Sequence, residues 1–190
     1  MSGARSSIVA EIALIGAGCK LPGADCVDAF WSQLVRGENT VRAQPSGRWS
    51  VSRFLRPGRP EPGFSYTFAG GYIDDPFAFD PAPFGVSPRE AEQMDPQQRL
   101  LLEVTWRALE DARIAPSSLA GANVGVYVGA STVDCQSGAS HDPAAMGSHF
   151  MTGNSLSILS NRLSCIFDLR GPSYTIDSAC SSSLVALTEA

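Results

Sequence analysis

The sequence is poor in charged residues, and in lysine above all. Only 17% of its 190 residues are charged, so most of its length is not expected to be disordered. Its net charge of -5 leaves no surplus of basic side chains to neutralise phosphates, which argues against a general nucleic-acid binder. Lys20 is the only lysine among 14 basic residues. The charge pattern therefore favours a globular protein with other partners.

Long hydrophobic runs and cysteine motifs are also lacking. No stretch approaches the roughly 20 apolar residues of a membrane helix, and Glu11 interrupts the short apolar run near the N-terminus that a signal peptide would need. An odd number of scattered cysteines without a CxxC pair predicts neither a disulfide framework nor a zinc site. We expect a protein of the reducing cytoplasm, without a membrane segment or a bound metal. The five cysteines are Cys19, Cys26, Cys135, Cys165 and Cys180.

The order of the predicted elements indicates a single α/β domain. A hydrophobic content of 44% over this length is enough to form a buried core. Strands and helices alternate in the way expected of layered α/β proteins. The predicted elements are a strand Ile8–Ile15, a helix 29–36 between Asp28 as N-cap and Gly37, a helix starting at Asp95-Pro96, a strand Val124–Gly129, a helix Ser155–Leu163, a strand Ser173–Asp177 and a helix Ser181–Ala190.

Side-chain spacing in two of these helices predicts which faces are buried. In the first helix the apolar residues recur on one face, which we expect to pack on the core. In the helix after Asp95, an apolar stripe is expected to be core, and a ladder of opposite charges at i, i+4 spacing is expected to face solvent. The apolar face of the first helix consists of Phe30, Trp31, Leu34 and Val35. In the helix after Asp95, the apolar stripe consists of Leu101, Val104, Ala108 and Ala112, and the charged ladder of Arg99, Glu103, Arg107 and Asp111.

Residues 41–71 break the regular pattern with interleaved arginines, prolines and aromatics. A stretch of this length and composition is typical of a long surface excursion, whose aromatic side chains need a surface to pack on. Contact with a nucleic acid or an acidic protein is the alternative interpretation.

Cys180 lies between a predicted strand and a predicted helix. A tight strand-to-helix turn raises a nucleophile above the edge of a sheet. The helix N-terminus favours a thiolate and offers N–H groups to an oxyanion. The neighbouring small residues, Ser178, Ala179, Ser181, Ser182 and Ser183, leave room for an acyl chain and can cap the helix. A cysteine among small residues is also typical of an inert buried position, so two interpretations remain from the residues alone.

The run DSACSSSLVAL (177–187) closely resembles the active-site signature of β-ketoacyl synthases, in the style of modular type I polyketide synthases and fatty-acid-synthase-like condensing enzymes. Ser178 stands where that pattern usually has Thr. The resemblance extends in order along the chain. It includes IALIGAGCKLPGA (12–24), FWSQLVRGENTV (30–41), the long stretch 70–112, VGVYVGAS (124–131) and the segment 152–173.

This resemblance implies a thiolase-like α/β/α layered fold, of which the chain holds the first of two halves. It also implies that the complete domain is a homodimer. It implies that Cys180 is the nucleophile and that its backbone N–H is an oxyanion donor. No cofactor would be bound directly, because the substrates are carried on the phosphopantetheine of an acyl carrier protein. The segment Thr152–Asn161 is expected near the dimer interface and the acyl pocket, and the arginines between Arg42 and Arg59 could dock the carrier protein.

The histidine motifs of the family, HGTGT and NIGH, do not occur in this sequence. Its two histidines, His141 and His149, precede Cys180, and their spacing matches no recognised metal site. We therefore expect residues 1–190 to be the N-terminal portion of a synthase domain, truncated after the nucleophile turn and limited to accepting the acyl group. The alternatives are a non-catalytic or vestigial fragment acting in dimerisation or carrier docking, and a dinucleotide loop at Gly16, Gly18 and Gly23. The glycines lack GxGxxG spacing.

Overall fold

The computed structural model describes residues 12–58, 60–133 and 146–190. The described elements include helices, short 3₁₀ turns (η) and strands in alternation, as predicted for an α/β protein. In chain order they are α1 Val27–Arg36, β1 Val41–Arg42, α2 Val51–Phe54, β2 Gly70–Gly71, η1 Ala82–Phe84, α3 Pro88–Gln93, α4 Pro96–Asp111, η2 Pro116–Leu119, β3 Val126–Gly129, α5 Phe150–Asn154, α6 Ser157–Ile166, β4 Ser173–Ile176, η3 Ala179–Ser181 and α7 Ser182–Glu189.

Strands β3 and β4 form a parallel pair at the centre of the fold. Their register runs from Val126 opposite Ser173 to Gly129 opposite Ile176. Helices α6 and α7 both pack against this pair, and α4 packs against α6. Both strands and both helices lie within three residues of their predicted ends, because buried strands and amphipathic helices leave local patterns in a sequence.

The hydrophobic core lies between the strand pair and helices α3, α4 and α6. Leu102 is fully buried and Met94 is 2% exposed, with Leu163 and Phe167 packed beside them. Asp95 caps α4 as predicted: its Oδ1 accepts a hydrogen bond from the N–H of Gln97 at 2.9 Å, and proline occupies the first helical position. The core helix is thus fixed at its start by the side chain that the sequence indicates.

A buried arginine ties α6 to helices α3 and α4. Arg162 is 9% exposed; its Nη1 lies 2.5 Å from Oε1 of Glu90 in α3, and its Nε donates to Oε1 of Gln98 in α4 at 2.6 Å. Gln98 in turn donates to the carbonyl of Thr152 at 3.0 Å. Removing one partner from such a buried pair typically costs about 3–5 kcal/mol, because the other charge is left uncompensated.

The predicted buried face of α1 is wrong. The helix begins at Val27 with Cys26 at the N-cap, so Asp28 lies in the first turn, while Gly37 ends the helix in the left-handed conformation as expected. Gln33 is the buried residue, and its amide donates to the carbonyl of Pro22 at 3.2 Å. Periodicity identifies the residues that share a face but not the surface that covers it. The exposed set is Phe30, Trp31, Leu34 and Val35.

The predicted first strand is also not formed in its described part. Residues 12–15 have no strand pairing, and Ile12 and Leu14 are 92% and 88% exposed; residues 8–11 lie outside the described ranges. The chain instead runs along α4, and at Gly16 and Gly18 it lies too close to the helix backbone for a side chain to fit. An ideal Cβ at Gly18 would lie 2.5 Å from the carbonyl oxygen of Val104, and one at Gly16 would lie 2.4 Å from that of Ala108. These glycines therefore serve helix packing, which is evidence against the dinucleotide-loop alternative.

Charged side chains of α4 bind this same segment rather than forming only a solvated ladder. Arg107 donates to the carbonyl of Asp25 at 2.5 Å, and the carboxylate of Asp111 accepts from the N–H of Ala17 at 2.9 Å. The i, i+4 spacing was compatible with both arrangements, and the expectation of a purely solvent-facing ladder is wrong. Two backbone groups of this segment, the N–H of Ala17 and the carbonyl of Asp25, are thus satisfied by side chains of α4.

The arginine-rich segment packs on its own aromatic residues. Strands β1 and β2 pair antiparallel and close it at its base. The ring of Trp49 meets that of Phe68 edge to face at 5.4 Å, and the guanidinium of Arg56 lies 4.4 Å from the centre of the Phe64 ring. This supports the interpretation as a packed surface excursion. Arg59 lies outside the described residues, and docking by these arginines stays a prediction.

Truncation of the central core residue should destabilise the protein strongly. We expect Leu102→Ala to lower the free energy of unfolding by about 2–5 kcal/mol, because it removes buried methyl groups and leaves a cavity. Urea denaturation followed by far-ultraviolet circular dichroism measures this. Leu187→Ala is the matched control: its side chain is exposed, and the change should stay within about 0.5 kcal/mol. Equal losses for the two variants would contradict the assignment of the core.

Candidate functional site

Cys180 occupies the turn that joins the end of β4 to the start of α7. Strand β4 ends at Ile176, residues Ala179–Ser181 form the 3₁₀ turn η3, and α7 begins at Ser182. The cysteine is a free thiol and is exposed. The predicted order of strand, cysteine and helix is therefore confirmed, and the buried position considered as an alternative is not the one that Cys180 occupies.

The backbone of the turn is strained immediately before the cysteine. Ala179 has φ of 55°, in the left-handed region, where a residue with a Cβ costs roughly 1–2 kcal/mol. Two hydrogen bonds hold it there. Its N–H donates to Oδ1 of Asp177 at 2.9 Å, and its carbonyl accepts from the hydroxyl of Ser182 at 2.7 Å. The sharp change of direction places Cys180 at the outside of the turn.

The serines around Cys180 fasten the turn rather than capping the helix. The buried hydroxyl of Ser182 accepts from the N–H of Ser178 at 3.0 Å, and the hydroxyl of Ser181 donates to the carbonyl of Ser178 at 3.0 Å. Neither η3 nor α7 has a side-chain bond at its N-cap, so the prediction that these residues cap the helix is wrong. These hydroxyls bond to backbone groups of the turn within four residues instead of to the start of the helix, as Ser side chains commonly do in irregular backbone.

The hydrogen bonds of the turn leave out one N–H group. Within the described turn, the backbone N–H groups of Ser178, Ala179, Ser181 and Ser182 each donate a hydrogen bond. The N–H of Cys180 is not among these donors. A backbone N–H beside an exposed sulfur, at the N-terminal end of α7, is the geometry that an oxyanion site requires.

A glycine at the end of β3 gives α7 its close approach to the strand pair. An ideal Cβ at Gly129 would lie 2.5 Å from both the carbonyl carbon of Ser182 and the backbone nitrogen of Ser183. The sequence pattern alone predicts Gly129 only as the end of a strand. Glycine inside a strand pattern is the available signal, since it often marks a close backbone approach.

A buried hydroxyl pair fixes β4 below the turn, and the sequence analysis missed it. Ser160 in α6 is fully buried, and the hydroxyl of Thr175 in β4 donates to its hydroxyl at 3.0 Å. Thr175 stands two residues before Asp177, the residue that anchors Ala179. No distinct local signal marks this pair, because α6 also carries polar residues at exposed positions such as Ser157, and only the fold shows which hydroxyl is buried.

Neither histidine is brought to Cys180 by a described contact. His141 lies outside the described residues. His149 stands at the N-cap of α5, where its backbone N–H donates to Oε1 of Gln93 in α3 at 3.0 Å. The described ranges contain no group of three or more residues suited to hold a metal ion. Within those ranges, too, none of the helices has the length and apolarity needed to cross a membrane.

Comparison with known proteins identifies the family. The family model described as "Beta-ketoacyl synthase, N-terminal domain" matches residues 10–190. The chain is 44% identical over 178 residues to the spectinabilin polyketide synthase system protein NorC of Streptomyces orinoci, covering 93% of this chain and 8% of that protein. It is 42% identical over 180 residues to a mycocerosic acid synthase-like polyketide synthase of Mycolicibacterium smegmatis, covering 94% and 8%.

Solved structures give the same result for the fold. An oxazolomycin ketosynthase domain of Streptomyces albus superposes with a TM-score of 0.84 at 36% identity, covering 92% of this chain and 30% of that one. The ketosynthase from module 6 of the bacillaene synthase of Bacillus subtilis 168 gives 0.75 at 34% identity, covering 92% and 27%. The chain therefore belongs to the β-ketoacyl synthase family and has its thiolase-like α/β fold, as predicted. It spans less than a third of either structure and less than a tenth of either polyketide synthase.

The conformation of Ala179 makes a direct prediction about substitutions in the turn. We expect Ala179→Val to lower the free energy of unfolding by roughly 1–3 kcal/mol, because a β-branched residue is strongly disfavoured at positive φ. Ala179→Gly is the matched control and should lie near the parent, because relief of strain offsets the greater entropy of the unfolded chain. Urea unfolding midpoints of the three proteins provide the comparison. Equal midpoints for Val and Gly would show that the turn is not left-handed.

Proposed function

We propose that this chain carries the acyl-accepting site of a β-ketoacyl synthase, with Cys180 as the nucleophile. The observation that carries the proposal is the exposed Cys180 thiol at a strained strand-to-helix turn, in a chain of this family. The reaction is the first half of a decarboxylative Claisen condensation, as used in polyketide or fatty acid biosynthesis.

In the proposed step the Cys180 sulfur attacks the carbonyl carbon of an acyl thioester. The carbonyl oxygen takes the negative charge while the carbon is tetrahedral. The carbon–sulfur bond to the donor then breaks, the carbonyl re-forms, and the donor leaves as a thiolate that takes up a proton. The product is an acyl thioester on Cys180. The exposed position of the sulfur supports this step, because a large carrier-bound donor must reach it.

The backbone N–H of Cys180 is the proposed donor to the developing oxyanion. It is absent from the hydrogen bonds that close the turn, and it lies two residues before the N-terminus of α7. A donor that is fixed before the reaction stabilises charge without reorganisation, and removal of one such donor commonly costs about 100- to 1,000-fold in kcat. The bonds held by Ser182 and Asp177 supply that rigidity.

The second half-reaction is assigned to residues outside this sequence. The acyl group on Cys180 would be attacked by the carbanion formed when a malonyl-type extender loses carbon dioxide. In the family this step uses the histidines of the HGTGT and NIGH motifs, and neither motif occurs among the 190 residues. We therefore propose that residues 1–190 act as the N-terminal portion of a condensing domain, together with a portion that bears those histidines.

The proposed partners follow from the same chemistry. An acyl carrier protein delivers the substrates on phosphopantetheine, so the site itself holds no cofactor. A homodimer in the cytoplasm is the proposed state of the complete domain. The apolar side chains that are exposed on α7, Leu184 at 69% and Leu187 at 74%, support an assembly larger than these residues alone.

Acyl transfer to Cys180 can be tested with a soluble thioester of pantetheine. We expect a single acyl group to appear on the intact chain by mass spectrometry, and tryptic mapping should place it on the peptide 171–190. Hydroxylamine should release it, as it does a thioester. Cys180→Ala should abolish the adduct, because Cys180 is the only thiol among residues 177–182.

Cys165→Ala is the matched control, since Cys165 is also an exposed free thiol but lies near the C-terminal end of α6. That variant should acylate at Cys180 like the parent. Acylation of Cys26 or Cys165 at the rate of Cys180 would show that exposure alone decides the reaction. Retained acylation in Cys180→Ala would reject the assignment of the nucleophile.

A further inference from the structure

Two cysteines outside the proposed acyl site, Cys19 and Cys26, flank a small hairpin. Leu21 and Ala24 form an isolated antiparallel bridge with both of its hydrogen bonds, at 2.8 and 3.0 Å. The next pair outward is joined by its side chains, because Nζ of Lys20 lies 2.6 Å from Oδ1 of Asp25. The pair after that is Cys19 and Cys26.

The register of this hairpin fits the span of a disulfide. Residues directly opposite each other in antiparallel chains have Cα atoms about 4.5–5.5 Å apart, and disulfides join Cα atoms about 4.4–6.8 Å apart. Leu21–Ala24 is the one backbone bridge of this described hairpin, and the backbone of Cys26 is extended, with φ of -152° and ψ of 167°. Alternation of side chains along extended chain predicts that Cys19 and Cys26 share the side opposite the Lys20–Asp25 ion pair.

A shared cavity places the two thiols close together, and the pKa of Cys19 agrees with this. Both line one cavity of about 240 Å³ beside Arg107 and Asp111 of α4. Burial raises the pKa of the Cys19 thiol, and the nearby Cys26 raises it further. Arg107 acts in the opposite direction, while Asp25 adds to the increase.

The exposures of Cys19 and Cys26 differ, which suits one thiol that meets the oxidant and a second thiol that then reacts with the first. Cys26 is exposed and Cys19 is half-buried. An oxidant dissolved in water therefore meets Cys26 first, and Cys19 lies behind it as the second thiol. Redox-sensing cysteines typically combine an accessible thiol with a neighbouring thiol that resolves the first product.

We propose that Cys19 and Cys26 form a peroxide-sensitive dithiol that closes to an intramolecular disulfide. Transient disulfides of this kind are the usual form in reducing compartments. The bond would join the segment that lies along α4 to the N-cap of α1. It would thereby fix the start of α1, whose apolar side chains Trp31 and Val35 are exposed, against the body of the protein.

The oxidant is a hydroperoxide, and the chemistry balances in two steps. The Cys26 thiolate attacks one peroxide oxygen; a sulfur–oxygen bond forms, the oxygen–oxygen bond breaks, and hydroxide leaves and takes up the proton that the thiol released. The Cys19 sulfur then attacks the Cys26 sulfur, forming the disulfide and breaking the sulfur–oxygen bond, and the departing hydroxide takes the Cys19 proton. With hydrogen peroxide, the two sulfurs lose two electrons in total and two waters form.

Tryptic mapping of the full chain after treatment with hydrogen peroxide tests the proposal. Cleavage after Lys20 separates the two cysteines, leaving Cys19 on peptide 6–20 and Cys26 on peptide 21–36. With the remaining thiols blocked by N-ethylmaleimide, we expect these two peptides to be joined, at the sum of their masses less two hydrogens. Dithiothreitol should separate them. A digest of equal amounts of unlabelled and heavy-nitrogen-labelled chains should give joined peptides of one isotope only.

Two variants make the result decisive. Cys26→Ser should cause complete loss of the joined peptide and leave Cys19 open to N-ethylmaleimide. Cys165→Ser, which removes another exposed thiol, should retain the joined peptide in full. Absence of the joined peptide in the parent chain would overturn the proposal. So would mixed-isotope pairs, which mean bonds between copies, or pairing of Cys26 with Cys165 or Cys180 as often as with Cys19.

Discussion

The hydroxyl of Ser182 joins the two sides of the chain reversal on which the proposed acyl site depends. It accepts a hydrogen bond from the N–H of Ser178, on the strand side, and donates to the carbonyl of Ala179, on the helix side. One buried side chain therefore holds a backbone conformation that an alanine would otherwise leave. These two bonds also fix the position of the Cys180 sulfur, because Cys180 lies between Ser182 and the two residues to which Ser182 bonds.

The turn in turn rests on the packed layers below it. Strands β3 and β4 end at the same edge of the sheet because they are parallel, and Gly129 lets the start of α7 approach that edge. The Ser160–Thr175 hydroxyl pair fixes β4 to α6, and Arg162 fixes α6 to α3 and α4. A continuous series of contacts thus runs from the core to the reactive turn. A nucleophile held in this way has little freedom to lose when it reacts, which lowers the entropic cost of the step.

The sequence predicted those features whose causes are local. Asp95 before Pro96 indicated the start of α4, and a strand followed by DSAC and a helix indicated the turn at Cys180. Burial depends instead on what packs against a face, and this is why the exposure of Trp31 and Leu34 was not foreseen. The buried hydroxyl of Ser182 was assigned to helix capping for the same kind of reason: a serine near a helix start can bond to either side, and only the fold decides.

Ser182 is the proposed positioning residue, and the rate at which Cys180 is acylated measures this role directly. Single-turnover acylation by an acyl-pantetheine thioester should fall by roughly 10- to 100-fold in Ser182→Ala, because small displacements of a reacting group can cost that much. Ser183→Ala, a neighbouring exposed serine, should acylate at the parent rate, with unchanged circular dichroism in both variants. Acylation of Ser182→Ala at the parent rate would contradict the claim that this hydroxyl positions the nucleophile.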